Sequence, residues 1–152
     1  AERPRRVDRT MAPRLELDVG TGETFSGDLL VDDAPESVAT LRSFLPHESD
    51  LMHVRWSGYA VWVNIDEVEL GEVPRENHTV YPSRGDVLLY PGYRNEQEIL
   101  VACGPTCFKS PAGELAGNHV ATLDASREER AALEGRTLAE GGKPVTIRLV
   151  DD

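Results

Sequence analysis

The order of apolar and polar positions divides the chain into short strands and two helical stretches. In RLELDVG, residues 14–20, Leu15, Leu17 and Val19 fall on one face and Arg14, Glu16 and Asp18 on the other, the period-two alternation of a half-buried strand. Gly20-Thr21-Gly22 supplies a turn, and ETFSGDLLV then carries Phe25, Gly27, Leu29 and Val31 on its inward face, which predicts an antiparallel hairpin. A helix follows. Asp33 stands at its N-cap with Glu36 three residues on, Pro35 fits a first turn, and Ala34, Val38, Leu41 and Leu45 line one face before Pro46. The residue before a proline avoids helical geometry, so the helix ends there.

The stretch HVRWSGYAVWVN, residues 53–64, exceeds the usual ~5–6 residues of a strand, and Gly58 is expected to break or bulge it. Unbroken alternation would put Val54, Trp56, Ala60 and Trp62 on a core face and His53, Arg55, Ser57 and Tyr59 on a polar one. Trp56 or Trp62 is expected in the core, with Tyr59 toward a pocket. GDVLLYP (85–91), EILVACG (98–104) and NHVATL (118–123) read as further strands. Ser126 and Glu129 form a capping box before a short helix through Leu133 that Gly135 ends, and KPVTIRLV closes the chain with Val145, Ile147 and Leu149 inward. Strands outnumber helices, and a closed antiparallel barrel removes exposed edges. The expected fold is therefore mainly β, a closed antiparallel β-barrel with two short helices.

The 152 residues suit one core. Residues 1–13 are read as a flexible arm or a vector remnant, and 14–152 as the barrel domain. No apolar run approaches the ~20 residues that span a bilayer, and the N-terminus lacks the apolar core of a secretion signal, so a cytoplasmic location is expected. Residues 1–14 hold five arginines and two acids, which leaves 11 bases against 25 acids, a net of −14 on the remainder. Such a surface repels phosphate backbones and anionic lipid. Neither nucleic acid nor membrane is an expected partner.

Candidate chemistry is sparse. Cys103 and Cys107 alone cannot complete a zinc site, and the four histidines have no ligand-like spacing, so neither metal nor cofactor is assigned. Both thiols are expected to be reduced. Arg55 offers a planar set of donors to a carboxylate or carbonyl, against a competing role as the partner of an acid at the barrel rim. His78, in ENHTVYP, and His119, in GNHV, are candidate acid–base groups, each with a competing structural role. Glu98, leading an apolar strand, is either a ligand-binding general base or a solvated strand end, and the latter is favoured. No phosphate loop, GxSxG elbow or distinctive carboxylate pair is present.

Several runs resemble a cyclophilin barrel in order along the chain. HVRWSGY is similar to the cyclophilin run with a His-Arg pair before Pro-Gly-Phe. GDVLLYPGYRNEQEILVA is similar to its glycine-led strand, Asn-containing loop and Gln-led strand, and ELAGNHVATL to its Trp-Leu-Asp-Gly-Lys-His-Val run. RWSG, NHT-YP and the GN-plus-apolar strand more closely resemble small bacterial cyclophilin-like proteins of a family of unknown function. The resemblance implies a cyclophilin-like barrel whose groove corresponds to Arg55, Tyr59, Ile99, Leu115 and His119, with Asn118 beside the last. Trp62 replaces the groove glutamine, Ala60 a methionine, Glu114 the groove tryptophan and Ile99 a phenylalanine. The expected function is a rim pocket that binds, or binds and transforms, a small polar or anionic molecule anchored by Arg55, with Tyr59, Trp62, Glu98, Ile99, Leu115 and Asn118 as ligand contacts. Two alternatives stand beside it, a peptidyl-prolyl isomerase acting on peptide through Arg55, and a non-catalytic binding or assembly module, possible also as a homodimer.

Overall fold

The computed structural model describes residues 13–150. The arm expected over 1–13 lies outside the described residues except for Pro13, whose carbonyl accepts the Leu29 N–H at 3.1 Å. Among the described residues there are eleven strands: β1 (Arg14–Val19), β2 (Thr24–Asp28), β3 (His47–His53), β4 (Gly58–Asn64), β5 (His78–Thr79), β6 (Asp86–Tyr90), β7 (Glu98–Thr106), β8 (Lys109–Ser110), β9 (Gly113–Glu114), β10 (Gly117–Thr122) and β11 (Lys143–Val150). The helices α1 (Pro35–Phe44) and α2 (Arg127–Glu140) join them.

Nine strands form one curled antiparallel sheet in the order β2-β1-β11-β3-β4-β7-β6-β10-β5, a half-barrel. The expected closure does not occur. Along the second edge of β10, Gly117 and Asn118 are already paired with Thr79 and His78 of β5. An isolated bridge, Leu29 with Ala121, the bond from Leu30 N–H to the Val120 carbonyl at 2.8 Å, and just past β10 the bond from Asp124 N–H to the Ser26 carbonyl at 2.7 Å tie this side to the far end of the sheet without forming a ladder. Gly27 makes that approach possible, since a Cβ there would sit 1.9 Å from the Thr122 carbonyl oxygen.

Alternation holds where one face of the sheet meets solvent: Leu15, Leu17 and Val19 of β1 are buried and their neighbours are not. β6 and the first half of β7 are buried at every position, because both faces are covered there. Val87, Leu89, Ile99, Val101 and Cys103 face the main core inside the curl, closed by Ala34, Val38 and Leu41 near or on α1 and Leu133 of α2. Leu88, Tyr90 and Leu100 face outward into a second cluster with Val54, Ala60, Phe108 and Leu115, against which Trp62 and Tyr93 pack.

Three local expectations are corrected, and one strand without a local signal is added. The expected N-cap Asp33 is replaced by Ala34, which gives no side-chain cap; the Glu76 carboxylate reaches the α1 terminus instead, accepting the Ser37 N–H at 2.5 Å. Residues 47–53 form a strand that the polar sequence HESDLMH conceals, paired with β11 on one side and β4 on the other. α2 forms its capping box at Ser126 and Glu129 but continues through Gly135 to Glu140. Trp56 is not core: it is 58% exposed, while Trp62 is half-buried against the outer cluster.

Candidate functional site

Gly58 does break the long central stretch. Arg55–Ser57 is a 3₁₀ turn, closed by Ser57 N–H to the Val54 carbonyl and pinned by the Ser57 hydroxyl, which donates to the Lys109 carbonyl and accepts its N–H. Gly58 has φ 110°, and a Cβ would lie 2.6 Å from the Pro105 oxygen, so a side chain is excluded there on both counts. Arg55 therefore sits on a turn, not a strand. Its carbonyl accepts the Gly58 N–H, while its side chain is exposed and makes no hydrogen bond or ion pair with any described residue.

The remaining expected site residues are not drawn to Arg55. Glu98 pairs with Asn64 at one end of the β4–β7 ladder, whereas Gly58 pairs with Thr106 at the other, about 20 Å away by strand rise. Ile99 points into the main core and Leu115 into the outer cluster. Asn118 is wholly buried; its amide donates to the Ser37 hydroxyl (2.9 Å) and the Pro74 carbonyl (3.0 Å), and its oxygen accepts the Glu76 N–H (3.3 Å). It clamps α1 and the loop before β5 onto β10. His78 is exposed on β5.

His119 is held in a network. Its Nε2 lies 2.9 Å from the Thr122 hydroxyl and 3.1 Å from Asp86 Oδ1, and Thr122 donates its one proton to the same Asp86 oxygen at 2.8 Å. Nε2 must then carry the hydrogen. Burial alone would raise the Asp86 carboxyl, but the bonds from His119 and Thr122 and from the Ser83 N–H hold it below the ordinary range.

Glu98 is no solvated strand end. It is 4% exposed on the outward face of β7, and no described residue hydrogen-bonds its side chain. The register flanks it with Asn64 and Tyr90. Burial, with smaller contributions from Glu96 and Asp66, pushes its carboxyl up to about 8, so it is mostly neutral at pH 7.

A concave site does form at the rim, and Arg55 does not line it. A depression of about 600 Å³ opens between α2 and the end of the β4–β7 ladder. Its apolar wall is Tyr59, Cys103, Gly104, Pro105 and Ala131; its polar wall is Arg84, Arg127, Arg130 and Glu134. Tyr59 lines this depression, which is not the Arg55-anchored pocket expected from the sequence. Arg84 is delivered by the turn into β6, where Gly85 N–H bonds the Ala102 carbonyl at 2.7 Å. α2 presents Arg127, Arg130, Ala131 and Glu134 at i, i+3, i+4 and i+7, one helical face. Arg84 and Arg127 are exposed and have no hydrogen-bond or ion-pair partner among the described residues. Arg130 donates from Nε to the Cys103 carbonyl (3.3 Å) and from Nη1 to the Ala125 carbonyl (2.6 Å). Glu134 Oε2 accepts from His53 Nε2 at 2.7 Å, both side chains nearly buried, and His53 Nδ1 has no partner. The Cys103 thiol, pushed up to about 12 by burial and by Glu134, is not a nucleophile at neutral pH.

These arginines were missed in the sequence, although the helical spacing in SREERAALE was a readable signal. Among the described residues no group of three or more His, Cys, Asp and Glu is placed to hold a metal ion.

Residues 16–149 match the model of a family described as protein of unknown function, DUF3830. The chain belongs to this family. No curated protein matches its sequence. Among solved structures it is similar to McbB in complex with tryptophan (TM-score 0.64, 21% identity), covering 88% of this chain but only 44% of McbB. It is also similar to a hypothetical protein of Archaeoglobus fulgidus (TM-score 0.59, 20% identity, 93% of this chain and 97% of that one). A cyclophilin-type peptidyl-prolyl cis-trans isomerase of Cryptosporidium parvum aligns with TM-score 0.55 and 13% identity over 93% of this chain and 98% of its own. The DUF3830 chain is thus mainly β with a cyclophilin-like fold; McbB is in complex with tryptophan, and a second structure of the isomerase was obtained in the presence of the dipeptide Ala-Pro.

Proposed function

We propose that this DUF3830 protein binds a small anionic molecule in the rim depression, with Arg84, Arg127 and Arg130 as the charge anchor and Tyr59 as a wall. One observation carries the reading: three arginines line one depression of a chain whose net charge is −11, and the side chains of two of them have no partner among the described residues. An acidic protein has carboxylates in excess for pairing, so unpaired arginines facing the same hollow are unspent binding capacity. The volume lies within the roughly 300–1,000 Å³ of small-molecule sites. The anchor role expected at Arg55 passes to these residues, because Arg55 does not line the depression. The tryptophan held by McbB supports a small molecule as the kind of ligand this fold accommodates.

Thermal-shift measurements with succinate, citrate and phosphate test the proposal. The expected result is stabilisation of the wild type that is lost in Arg84→Ala/Arg127→Ala. Equal stabilisation of the double variant would remove the arginines from the site.

A further inference from the structure

An anion alone leaves one charge of the rim depression opposed rather than used. Arg130 and Glu134 lie four residues apart on α2, about 6 Å along the axis, a spacing at which an arginine and a glutamate ordinarily meet. They do not pair. Arg130 is turned onto the Cys103 and Ala125 carbonyls, and Glu134 onto His53. Each charge is held by its own partner, so a positive and a negative pole face the same hollow without neutralising each other. Glu134 Oε1 has no hydrogen bond with any described residue and remains open to a donor.

From this arrangement we infer that the ligand is a zwitterion, an α-amino acid with an apolar or aromatic side chain. Its carboxylate lies on the arginines, its ammonium on Glu134 Oε1, and its side chain along Tyr59 and Pro105. The inference rests on the anion reading above and narrows it. A simple carboxylate would be repelled by Glu134, whereas an α-ammonium beside the carboxylate converts that repulsion into a charge-assisted hydrogen bond. The apolar wall completes the match. Tyr59 is 54% exposed and offers a ring face, and Gly104 keeps the wall open there, since a Cβ would come within 3.0 Å of Tyr59 Cβ. His53 holds Oε2, which leaves Oε1 for the ammonium of the ligand.

Calorimetric titration of the full chain with matched pairs tests this. L-tryptophan, L-phenylalanine and L-leucine are each compared with the deamino acid of the same skeleton, with succinate and phosphate alongside. At least one amino acid is expected to bind tenfold or more tightly than its deamino partner. Glu134→Gln is expected to erase that difference while leaving the deamino acid unchanged or tighter, and Arg127→Ala to weaken both members of the pair. If deamino acids, succinate or phosphate bind through the arginines but no amino acid outperforms its partner, the zwitterion inference fails and the anion reading stands. If none of the eight probes binds, both fall. The pairwise comparison on wild-type protein needs no variant, so poor folding of Glu134→Gln would not shield the inference.

Discussion

Glu98→Gln isolates a buried carboxyl that the fold leaves without a hydrogen-bond partner among the described residues. In the folded chain its titration is pushed from 4.5 to about 8, first by burial and then by Glu96 and Asp66. The native state therefore keeps a proton that the unfolded chain releases above pH 4.5, and wild-type stability must fall as pH rises toward 8. Each unit of displacement corresponds to 1.36 kcal/mol, which sets an upper limit of about 5 kcal/mol on the loss. Half of that, about 2.5 kcal/mol, would move the melting midpoint by roughly 5–10 °C in a chain of this size. Glutamine keeps the shape and cannot ionise. The difference between the two proteins, followed by urea or thermal unfolding from pH 5 to pH 8.5, removes the contribution of every other titrating group. The variant is expected to gain steadily on the wild type as pH rises, while the cost of burying the new amide adds a pH-independent offset. A difference that stays constant across the range would mean that Glu98 ionises normally in the folded state, and the argument from burial would be wrong.

Asn118→Ala strips hydrogen bonds from the Ser37 hydroxyl, the Pro74 carbonyl and the Glu76 N–H at a wholly buried position. At 1–3 kcal/mol for a buried group left unsatisfied, a loss of about 3 kcal/mol is expected in urea unfolding, and a loss under 1 kcal/mol would deny Asn118 its clamping role. Gly135 lies inside α2 with open space where a Cβ would go, so Gly135→Ala should stabilise by roughly 0.5–1 kcal/mol, read as a higher urea midpoint. A protease-coupled proline peptide assay should show no acceleration over the uncatalysed tens to hundreds of seconds. Arg55 stands on an exposed turn, His119 is engaged by Asp86 and Thr122, and Ile99 is turned into the core. Acceleration that vanishes in Arg55→Ala would reverse that expectation.

What the sequence determined by itself is what near neighbours along the chain determine. The alternation of Leu15, Leu17 and Val19, the Ser126–Glu129 capping box and the break at Gly58 all involve residues a few positions apart, and each appears in the structure. The ordered runs around Arg55, His78 and His119 carried the family and the cyclophilin-like fold. Tertiary structure decided what depends on residues remote in sequence. β3 buries only Leu51 fully and is a strand because β4 and β11 supply ladder partners on both sides, a condition that no local pattern encodes. The sheet stays open: β10 gives Gly117 and Asn118 to β5 and meets the far end through the isolated Leu29–Ala121 bridge rather than a ladder, contacts between residues far apart in the chain. Arg55 left the strand because one glycine turned the chain, while Arg84 and Arg127, unremarked in the sequence, meet only when α2 docks across β7. Glu98 looked like a solvated strand end because its own strand places it first, and it is buried because the neighbouring strands, with Asn64 and Tyr90, close over it. Periodicity states which side of a strand a residue faces; packing alone states what covers that side.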